Sequence, residues 1–470
     1  MPANDRVEVR FPVSAAMAGT ARFRVAGVSG GAADATTVEL PVYTPATSES
    51  FATYGVVDDG AVAQPVLAPT DVIPQFGGLD ITTSSTSLQS LTDAVIYLED
   101  YPFESSDALA SRILSIAALR DVLDAFDAPG LPSPSELNAA VARDISTLVA
   151  MQNDDGGWPF WSRSRPSEPY NSVQVTHALL AARDAGYAVP QSAIDVALAF
   201  VHDIEQHIPS EYSQESRDTI SAYALHVRMV GGDRDIAKAE QLYSQRDGDL
   251  PLDAIAWLWP VIDDPAIDAE IERDIGNRAV DTAGAVTFTT GVADDAYVAL
   301  SSDRRTDGLV LDALIAVRPQ SDLIPKVVSG LMAGQRQGRW DNVQENTFIL
   351  LALKAYFDAF EAQTPEFVAR VWLGEQFAGD ETFSGRSTER DRITIPTAQL
   401  QELGNTDLVI AKEGTGRVYY RIGLRTAPAD LTLDALDRGF VVSRSYEAVD
   451  DPADVSRDAD GTWHIRAGAR

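Results

Sequence analysis

QNDDGGW at residues 152–158 and GQRQGRW at residues 334–340 are two turns of similar design, and they decide the fold. Each contains glycine, ends in tryptophan and stands between segments whose apolar residues recur at i, i+3 and i+4, the spacing of an amphipathic helix. In the first turn Asp154 and Asp155 support the backbone, and the glycines accept the positive φ that such turns require. Similar turns repeated between helices indicate helical hairpins that close into an α/α ring.

The helical pattern extends outward from these turns over residues 88–363. Short Gly, Pro or Asp turns separate the periodic segments, and we expect about a dozen helices, few of them longer than about 20 residues. The clearest helical segments are residues 109–126, 135–151, 172–185, 192–207, 218–230, 305–317 and 345–360.

Both flanks of the helical region alternate apolar and polar residues, the pattern of half-buried strands. The alternation is clear in VEVRF at residues 7–11 and ARFRV at residues 21–25, and it returns in FVARVWL at residues 367–373 and RVYYRIGL at residues 417–424. Neither flank has enough strands to bury an apolar face alone. We therefore expect strands from before and after the helical region to pair with each other.

Composition excludes several classes of protein. A length of 470 residues implies roughly two to four domains, because a single core stops growing at roughly 250–300 residues. The net charge of −33 argues against nucleic-acid binding, which needs clustered Lys and Arg. The absence of cysteine removes disulfides, thiolate nucleophiles and Cys-ligated metal sites, and the five histidines show no metal-ligand spacing. No apolar run is long enough to span a bilayer, and no signal peptide is expected within the chain.

Three further stretches carry a resemblance to a known family. They are FGGLDITTSST at residues 76–86, GRWDNVQEN at residues 338–346 and DLVIAKEGTGRVYY at residues 407–420. Together with the order of strand region, helical ring and strand region, they resemble the CUB and thioester-containing domains of bacterial alpha-2-macroglobulins. These are large secreted proteins that trap proteases.

The resemblance implies a multidomain α plus β protein in which an α/α toroid is inserted into a CUB-like β-sandwich, with partial macroglobulin-like strands at both ends. The implied domains are the end of a macroglobulin-like domain at 1–46, the first CUB half at 47–87, the toroid at 88–363, the second CUB half at 364–415 and the start of a C-terminal macroglobulin-like domain at 416–470. Both ends of the chain are expected to lie within β domains of a longer protein.

The reactive motif of this family is Cys-x-Glu-Gln preceded by Tyr-Pro-aromatic, and the matching stretch is YPFESSDA at residues 101–108. The Tyr-Pro-aromatic sequence is present and begins at Tyr101. However, Ser105 stands in place of Cys, Asp107 in place of Glu and Ala108 in place of Gln. A thioester needs a thiol and a carboxamide, so the motif is expected to be degenerate. Apart from the resemblance, these residues form a good helix start, with a capping hydroxyl and a carboxylate near the positive end of the helix dipole.

His177 allows two further interpretations of this region. In some thioester proteins a histidine of this domain takes the acyl group, so the resemblance makes His177 a former acyl-acceptor position. A hydrolase triad of Ser105, Asp107 and His177 is the other hypothesis, but it needs a base within reach of the serine, and the G-x-S-x-G elbow is missing. We favour a packed, hydrogen-bonded histidine.

Aromatic residues near the degenerate motif are expected to line a pocket or to fill the core. Phe103, Trp158, Trp161 and Trp340 are the pocket-lining candidates, because the family shields its thioester with aromatic side chains and because such rings also line carbohydrate and isoprenoid sites. At the inner turns of a helical ring, tryptophan more often belongs to the core.

The resemblance implies a fragment of a non-enzymatic endopeptidase inhibitor that lacks a functional thioester and needs no cofactor or metal. Its partners would be target proteases, met through the full-length parent in the periplasm or outside the cell, with membrane contact only through an anchor elsewhere in that parent. Two alternatives remain open. One is a toroid enzyme of the terpene-cyclase or polysaccharide-cleaving type, although the acidic pairs at residues 263–264 and 294–295 lack the third Asp of an isoprenoid metal site. The other is a purely structural, surface-binding module.

Overall fold

The computed structural model describes residues 9–15, 19–42, 49–86, 91–125, 132–246, 249–282, 284–290, 294–336, 338–386, 390–429 and 443–470. The strands are β1 (Gly19–Ser29), β2 (Ala32–Val42), β3 (Glu49–Val57), β4 (Gly60–Val66), β5 (Gly78–Ser84), β6 (Val280–Thr282), β7 (Ala285–Thr287), β8 (Glu366–Leu373), β9 (Gln376–Ser384), β10 (Arg390–Pro396), β11 (Thr406–Thr415), β12 (Val418–Thr426), β13 (Val455–Arg457) and β14 (Trp463–Ile465).

The α-helices are α1 (Leu91–Glu99), α2 (Ser106–Ala125), α3 (Pro134–Met151), α4 (Pro169–Asp184), α5 (Gln191–His202), α6 (Gln214–Val230), α7 (Ile236–Ser244), α8 (Leu252–Leu258), α9 (Pro265–Arg278), α10 (Asp303–Val317), α11 (Leu323–Ala333), α12 (Val343–Phe360) and α13 (Thr397–Leu403). Short 3₁₀ turns lie at Ile204–Gln206, Ala296–Ala299 and Pro452–Asp454. None of the helices within these described ranges has the length and apolar character to cross a membrane.

The even-numbered helices contact one another in a closed order. Helix α2 packs on α4, α4 on α6, α6 on α8, α8 on α10, α10 on α12, and α12 returns to α2. Helices α3, α5 and α11 lie against members of this inner set, and one continuous apolar core joins them. The predicted helical segments coincide with helices of the structure, except that the segment predicted over 192–207 ends at His202 and is followed by the 3₁₀ turn Ile204–Gln206. Helices α4 and α12, whose residues are mostly buried, belong to the inner set.

The two repeated turns have equivalent structures. The indole Nε1 of Trp158 donates to the Leu148 carbonyl of α3 at 2.7 Å, and that of Trp340 donates to the Leu331 carbonyl of α11 at 3.0 Å. In both turns the backbone N–H of the tryptophan donates to a polar side chain on the fourth residue of the next helix. Each turn thus fastens one helix to the next, α3 to α4 and α11 to α12.

The flanking strands form two four-stranded sheets that share one core. The first sheet has the order β10-β5-β12-β3 and the second the order β4-β11-β8-β9, and all the pairs are antiparallel. In the first sheet, strands from before the helical region alternate with strands from after it, and in the second sheet β4 from before it pairs with β11 from after it. The expected pairing across the long insertion is therefore present. Ile81 and Ile422 of the first sheet and Val371 and Ile410 of the second lie in the shared core.

Strand β12 differs from the expected domain division. The boundary at residue 416 assigned this strand to a following macroglobulin-like domain, yet it lies between β5 and β3 in the first sheet. The reason is its own alternation, because Val418, Tyr420 and Ile422 are buried in the core of the sandwich. The first sheet therefore extends to Thr426.

The N-terminal hairpin also differs from the expectation of half-buried strands. Strands β1 and β2 pair over their full length, but Val25, Val28 and Leu40 are 49%, 77% and 51% exposed. Residues 9–15 lie outside the strands. No second layer covers this hairpin among the described residues, so its apolar alternation meets solvent.

The helical region and the sandwich join through buried polar contacts. Thr86, just after β5, donates its hydroxyl to Glu361 at the end of α12 at 2.6 Å. The hydroxyls of Tyr356 on α12 and Tyr419 on β12 lie 3.0 Å apart. Helix α11 also lies beside the edge strand β3, so that the outer face of the first sheet looks toward the helices.

Candidate functional site

The stretch expected to be a degenerate motif, residues 101–108, leads into the enclosed beginning of α2. Residues 105–108 are all buried, and the carbonyl of Ser105 accepts the first helical hydrogen bond, from Leu109 N–H, at 3.0 Å. Ser106 N–H donates to the Phe160 carbonyl at 2.9 Å, and the Ser106 hydroxyl accepts from Asn171 Nδ2 at 3.0 Å. The helix start is thereby tied both to the loop after Trp158 and to α4.

Asp107 occupies an unusual position for a carboxylate. Burial raises the pKa of Asp107 above its ordinary value of 3.8, and hydrogen bonds from the Ser105 hydroxyl and from the N–H of Ala108 oppose that rise. Its Oδ1 atom is buried and has no hydrogen-bond partner among the described residues. The Ser105 hydroxyl therefore acts on this side chain, in addition to the role of the Ser105 carbonyl, which accepts the first hydrogen bond of the helix that begins at the next residue.

The predicted aromatic residues occupy two different environments. Tyr101, Phe103 and Trp161 form a row of edge-to-face contacts, with ring centroids 5.6 and 6.4 Å apart, and Phe103 and Trp161 are each 56% exposed. Trp158 and Trp340, by contrast, are fully buried in the helical core. The row lies at the surface beside the degenerate motif, and the two buried tryptophans serve the repeated turns.

His177 lies in the middle of α4 and pairs with a tyrosine. Its Nδ1 is 3.0 Å from the Tyr223 hydroxyl, and its ring meets the edge of His226 at a centroid distance of 6.0 Å. Burial lowers the pKa of both histidines, so both are neutral at pH 7. Tyr223 is not the carboxylate that a triad uses to orient its base. This environment is the packed, hydrogen-bonded one that we favoured for His177.

A buried polar network across the inner helices is the largest feature that sequence reasoning missed. Gln174 donates to the Ser111 hydroxyl at 2.9 Å and accepts from Gln344 at 2.9 Å. The Tyr170 hydroxyl donates to Gln344 Oε1 at 2.8 Å and accepts from Arg305 Nη1 at 2.9 Å. The network thus links α2, α4, α12 and α10.

At one end of this network, Arg305 forms a buried ion pair with Asp253. Its Nη2 lies 2.5 Å from Asp253 Oδ2, and the two side chains are 0% and 2% exposed. The guanidinium also lies over the rings of Trp257 and Tyr170, 5.2 and 5.4 Å from their centroids. A sequence signal exists in Gln174 and Gln344, two polar residues within helical segments, and the structure buries both side chains. Such positions are usually hydrophobic, and a polar residue there implies a buried partner.

The chemistry open to the site is limited. Position 105 offers a hydroxyl and position 108 a methyl group. Within the described part of the chain, no group of three or more His, Asp or Glu side chains is placed to hold a metal ion. The polar side chains of the inner helices satisfy one another, apart from single atoms such as Asp107 Oδ1 and Arg305 Nε.

Known proteins resemble this chain in sequence and in fold. No protein-family model matches the chain. The chain is 23% identical over 512 residues to Circularly permutated Ras protein 2 of Dictyostelium discoideum, covering 91% of this chain and 13% of that protein. It is also 23% identical over 423 residues to an Alpha-2-macroglobulin homolog of Nostoc sp., covering 88% of this chain and 22% of that protein. The chain therefore spans less than a quarter of each of these relatives.

Solved structures agree on the fold. Native Escherichia coli alpha-2-macroglobulin, from domain MG7 to the C-terminus, superposes with a TM-score of 0.52 at 17% identity, covering 89% of this chain and 64% of that one. The same protein activated by porcine elastase gives a TM-score of 0.59 at 18% identity, covering 89% of this chain and 37% of that one. The class is a mixed α and β multidomain protein that resembles the C-terminal region of bacterial alpha-2-macroglobulin. The chain is thus similar to bacterial alpha-2-macroglobulins in sequence and in fold.

Proposed function

We propose that this chain is part of an endopeptidase inhibitor of the alpha-2-macroglobulin type that works without a reactive thioester. The observation that carries the proposal is the chemistry at the start of α2, where Ser105 and Ala108 stand in the positions that would hold the thiol and the carboxamide. The helix start is buried and tied to neighbouring segments, which is the setting that a protected bond would need. The buried surroundings of the helix start are therefore present, but the thiol and the carboxamide that would form the thioester are absent.

We assign the two parts of the molecule to the modules that the resemblance implies. The closed succession of even-numbered helices supports an α/α toroid of the thioester-domain type. The two sheets with strands from both sides of the insertion support a CUB-like sandwich. The exposed hairpin β1–β2 and the hairpin β13–β14 are consistent with strands of adjoining macroglobulin-like domains.

The proposed inhibitor holds its protease non-covalently, and its action is physical enclosure. Relatives of the family include Escherichia coli alpha-2-macroglobulin activated by trypsin and the Salmonella protein reacted with methylamine. Target proteases are therefore the proposed partners, and the periplasm or the cell exterior is the proposed location. The chain has no proposed enzymatic activity, cofactor or metal.

Methylamine provides the first test of this proposal. The chain is incubated with methylamine and its intact mass is measured, with Salmonella alpha-2-macroglobulin as the positive control because that protein is known in a methylamine-reacted form. We expect no mass change in this chain and an adduct in the control. A methylamine adduct on this chain near Ser105 would refute the loss of thioester chemistry.

Protease capture provides the second test, and it uses the full-length protein. After incubation with trypsin, we expect a complex that survives native electrophoresis and separates completely in denaturing gel. A variant with both Ser105→Cys and Ala108→Gln is the matched comparison, because it returns the two missing groups. Failure of the full-length protein to retain trypsin in any form would refute the inhibitor proposal, whatever the methylamine result.

A further inference from the structure

A groove runs between the outer face of the first sheet and helix α11. It has a volume of about 560 Å³, within the range of roughly 300–1,000 Å³ typical of small-molecule sites. The floor is formed by side chains of β3, β5, β10 and β12, and the opposite wall by α11 and the residues that follow it. The groove is distant in sequence from the degenerate motif and is independent of the function proposed above.

The floor contains one row of side chains that crosses all four strands. Arg421 of β12 is directly opposite Tyr54 of β3 on one side and Thr82 of β5 on the other, and Thr82 is opposite Arg392 of β10. Directly paired residues of antiparallel strands point to the same face of a sheet. The row Tyr54, Arg421, Thr82 and Arg392 therefore faces the groove together.

The two arginines of this row differ in their electrostatic partners. Arg392 forms a bidentate pair with Asp80, with Nη2 at 2.9 Å and Nε at 3.3 Å from the carboxylate oxygens. Burial acts to raise the pKa of Asp80, but Arg392 and Thr394 lower it more, so this charge stays paired. Arg421 instead contacts Tyr54, with Nε 3.4 Å from the hydroxyl and the guanidinium 5.9 Å from the ring centroid. Arg421 thus presents a positive charge next to a neutral partner.

The helix wall adds an unused donor and an apolar surface. Gln335 lines the groove just after α11, and its Nε2 is buried without a hydrogen-bond partner among the described residues. An unsatisfied buried amide donor destabilises the folded protein unless a ligand or water accepts its hydrogen bond. Val328, Met332 and Ala333 supply the apolar part of the same wall.

We propose that this groove binds a small carboxylate that carries an apolar group. The carboxylate would accept from Arg421, with Gln335 and the hydroxyls of Tyr54 and Thr82 as further donors, and the apolar group would lie against Val328 and Met332. The donors come from both sides of the groove, and a carboxylate, which only accepts hydrogen bonds, complements such a set.

Binding of two carboxylates and their neutral counterparts to the full 470-residue chain tests the proposal. The probes are N-acetyl-leucine with its amide, and octanoate with octanol, each measured by calorimetric titration. We expect at least one carboxylate to bind with a Kd of about 1 mM or tighter, and its neutral counterpart to bind at least about tenfold more weakly. The pair that binds distinguishes a peptide-like carboxylate from a fatty acid. Equal binding of the acids and their neutral counterparts, or no binding of either acid, would overturn the proposal.

Three variants locate the binding. Arg421→Gln should weaken carboxylate binding by about tenfold or more, because a charged hydrogen bond is lost. Ala333→Asp should weaken it as well by placing a like charge at an exposed position of the groove, where folding is little affected. Arg370→Gln, on the second sheet and paired with Glu413, is the matched control and should bind like the wild type. Unchanged binding in both groove variants would place the ligand elsewhere and refute the site.

Discussion

Replacement of Arg305 by methionine tests the buried ion pair at the centre of the inner helices. Arg305 and Asp253 are almost completely buried, and their charged atoms lie 2.5 Å apart. Methionine keeps much of the length and apolar surface of arginine but removes its charge and donors. The change therefore leaves Asp253 as an unpaired carboxylate in the protein interior.

The structure limits the magnitude of the effect. Removing one partner of a buried ion pair destabilises a protein by about 3–5 kcal/mol. After the change the Ser301 and Thr219 hydroxyls still donate to Asp253, at 3.0 and 3.4 Å. The cation–π contact with Trp257, at 5.2 Å, would also be lost. We therefore expect the free energy of unfolding to fall by about 3 kcal/mol.

Urea unfolding followed by tryptophan fluorescence measures this change, since Trp257 lies beside the altered side chain. The midpoint should fall while the dependence on urea concentration stays the same, which separates lost stability from a change in the surface exposed on unfolding. Arg318→Met is the matched control, because Arg318 pairs with Asp268 and Glu272 while about a third exposed. Its pair is screened by solvent and should contribute about 1 kcal/mol or less.

The double variant Arg305→Met with Asp253→Leu separates the pair from its surroundings. Removing both charges leaves no uncompensated ion, so this variant should recover most of the stability that Arg305→Met loses. If Arg305→Met destabilised the protein no more than Arg318→Met does, the buried pair would not have the role that we assign. Additive losses in the double variant would likewise contradict the reasoning.

Three other predictions test separate parts of the structure. Asp107→Asn should reduce the pH dependence of stability. Burial raises the pKa of Asp107 above 3.8 in the folded chain, so the wild type loses stability as the pH rises from 3.8 through the folded-state pKa. Urea midpoints measured across that pH range should therefore fall less in the variant than in the wild type. An unchanged pH profile would show that Asp107 does not titrate abnormally. Trp158→Ala should lower the free energy of unfolding by about 3–5 kcal/mol, whereas Trp161→Ala should lower it by less than about 1 kcal/mol because the Trp161 ring is exposed. Equal losses would contradict the assignment of Trp158 to the core and Trp161 to the surface. Gly55→Ala should destabilise the first sheet by about 1–3 kcal/mol, because the new Cβ would lie 2.2 Å from the Tyr420 hydroxyl oxygen. A thermal midpoint identical to that of the wild type would show that the tyrosine ring moves freely.

Local patterns in the sequence were enough to place the helices and the two tryptophan turns. Helical periodicity and turn chemistry act over a few residues, so the segments around Trp158 and Trp340 can be recognised without knowledge of the rest of the chain. The same holds for the start of α2 at Ser106, where the composition of the preceding residues favours a helix N-terminus. The proposed replacement of the thiol and carboxamide by Ser105 and Ala108 also rests on the sequence alone.

Only the tertiary structure decided which strands share a sheet and which polar residues are buried together. Thr394 and Asp80 are 314 residues apart yet form a hydrogen bond, and alternation alone does not specify such a pairing because many registers satisfy it. The same limit explains why β12 was assigned beyond the sandwich, and why Phe103 and Trp161 were expected in a pocket when their rings lie at the surface. Arginine is a residue type usually found at the surface, and the burial of Arg305 depends on its partner Asp253, 52 positions away. Its role therefore follows from the packing of two helices and not from the residues beside it in the sequence.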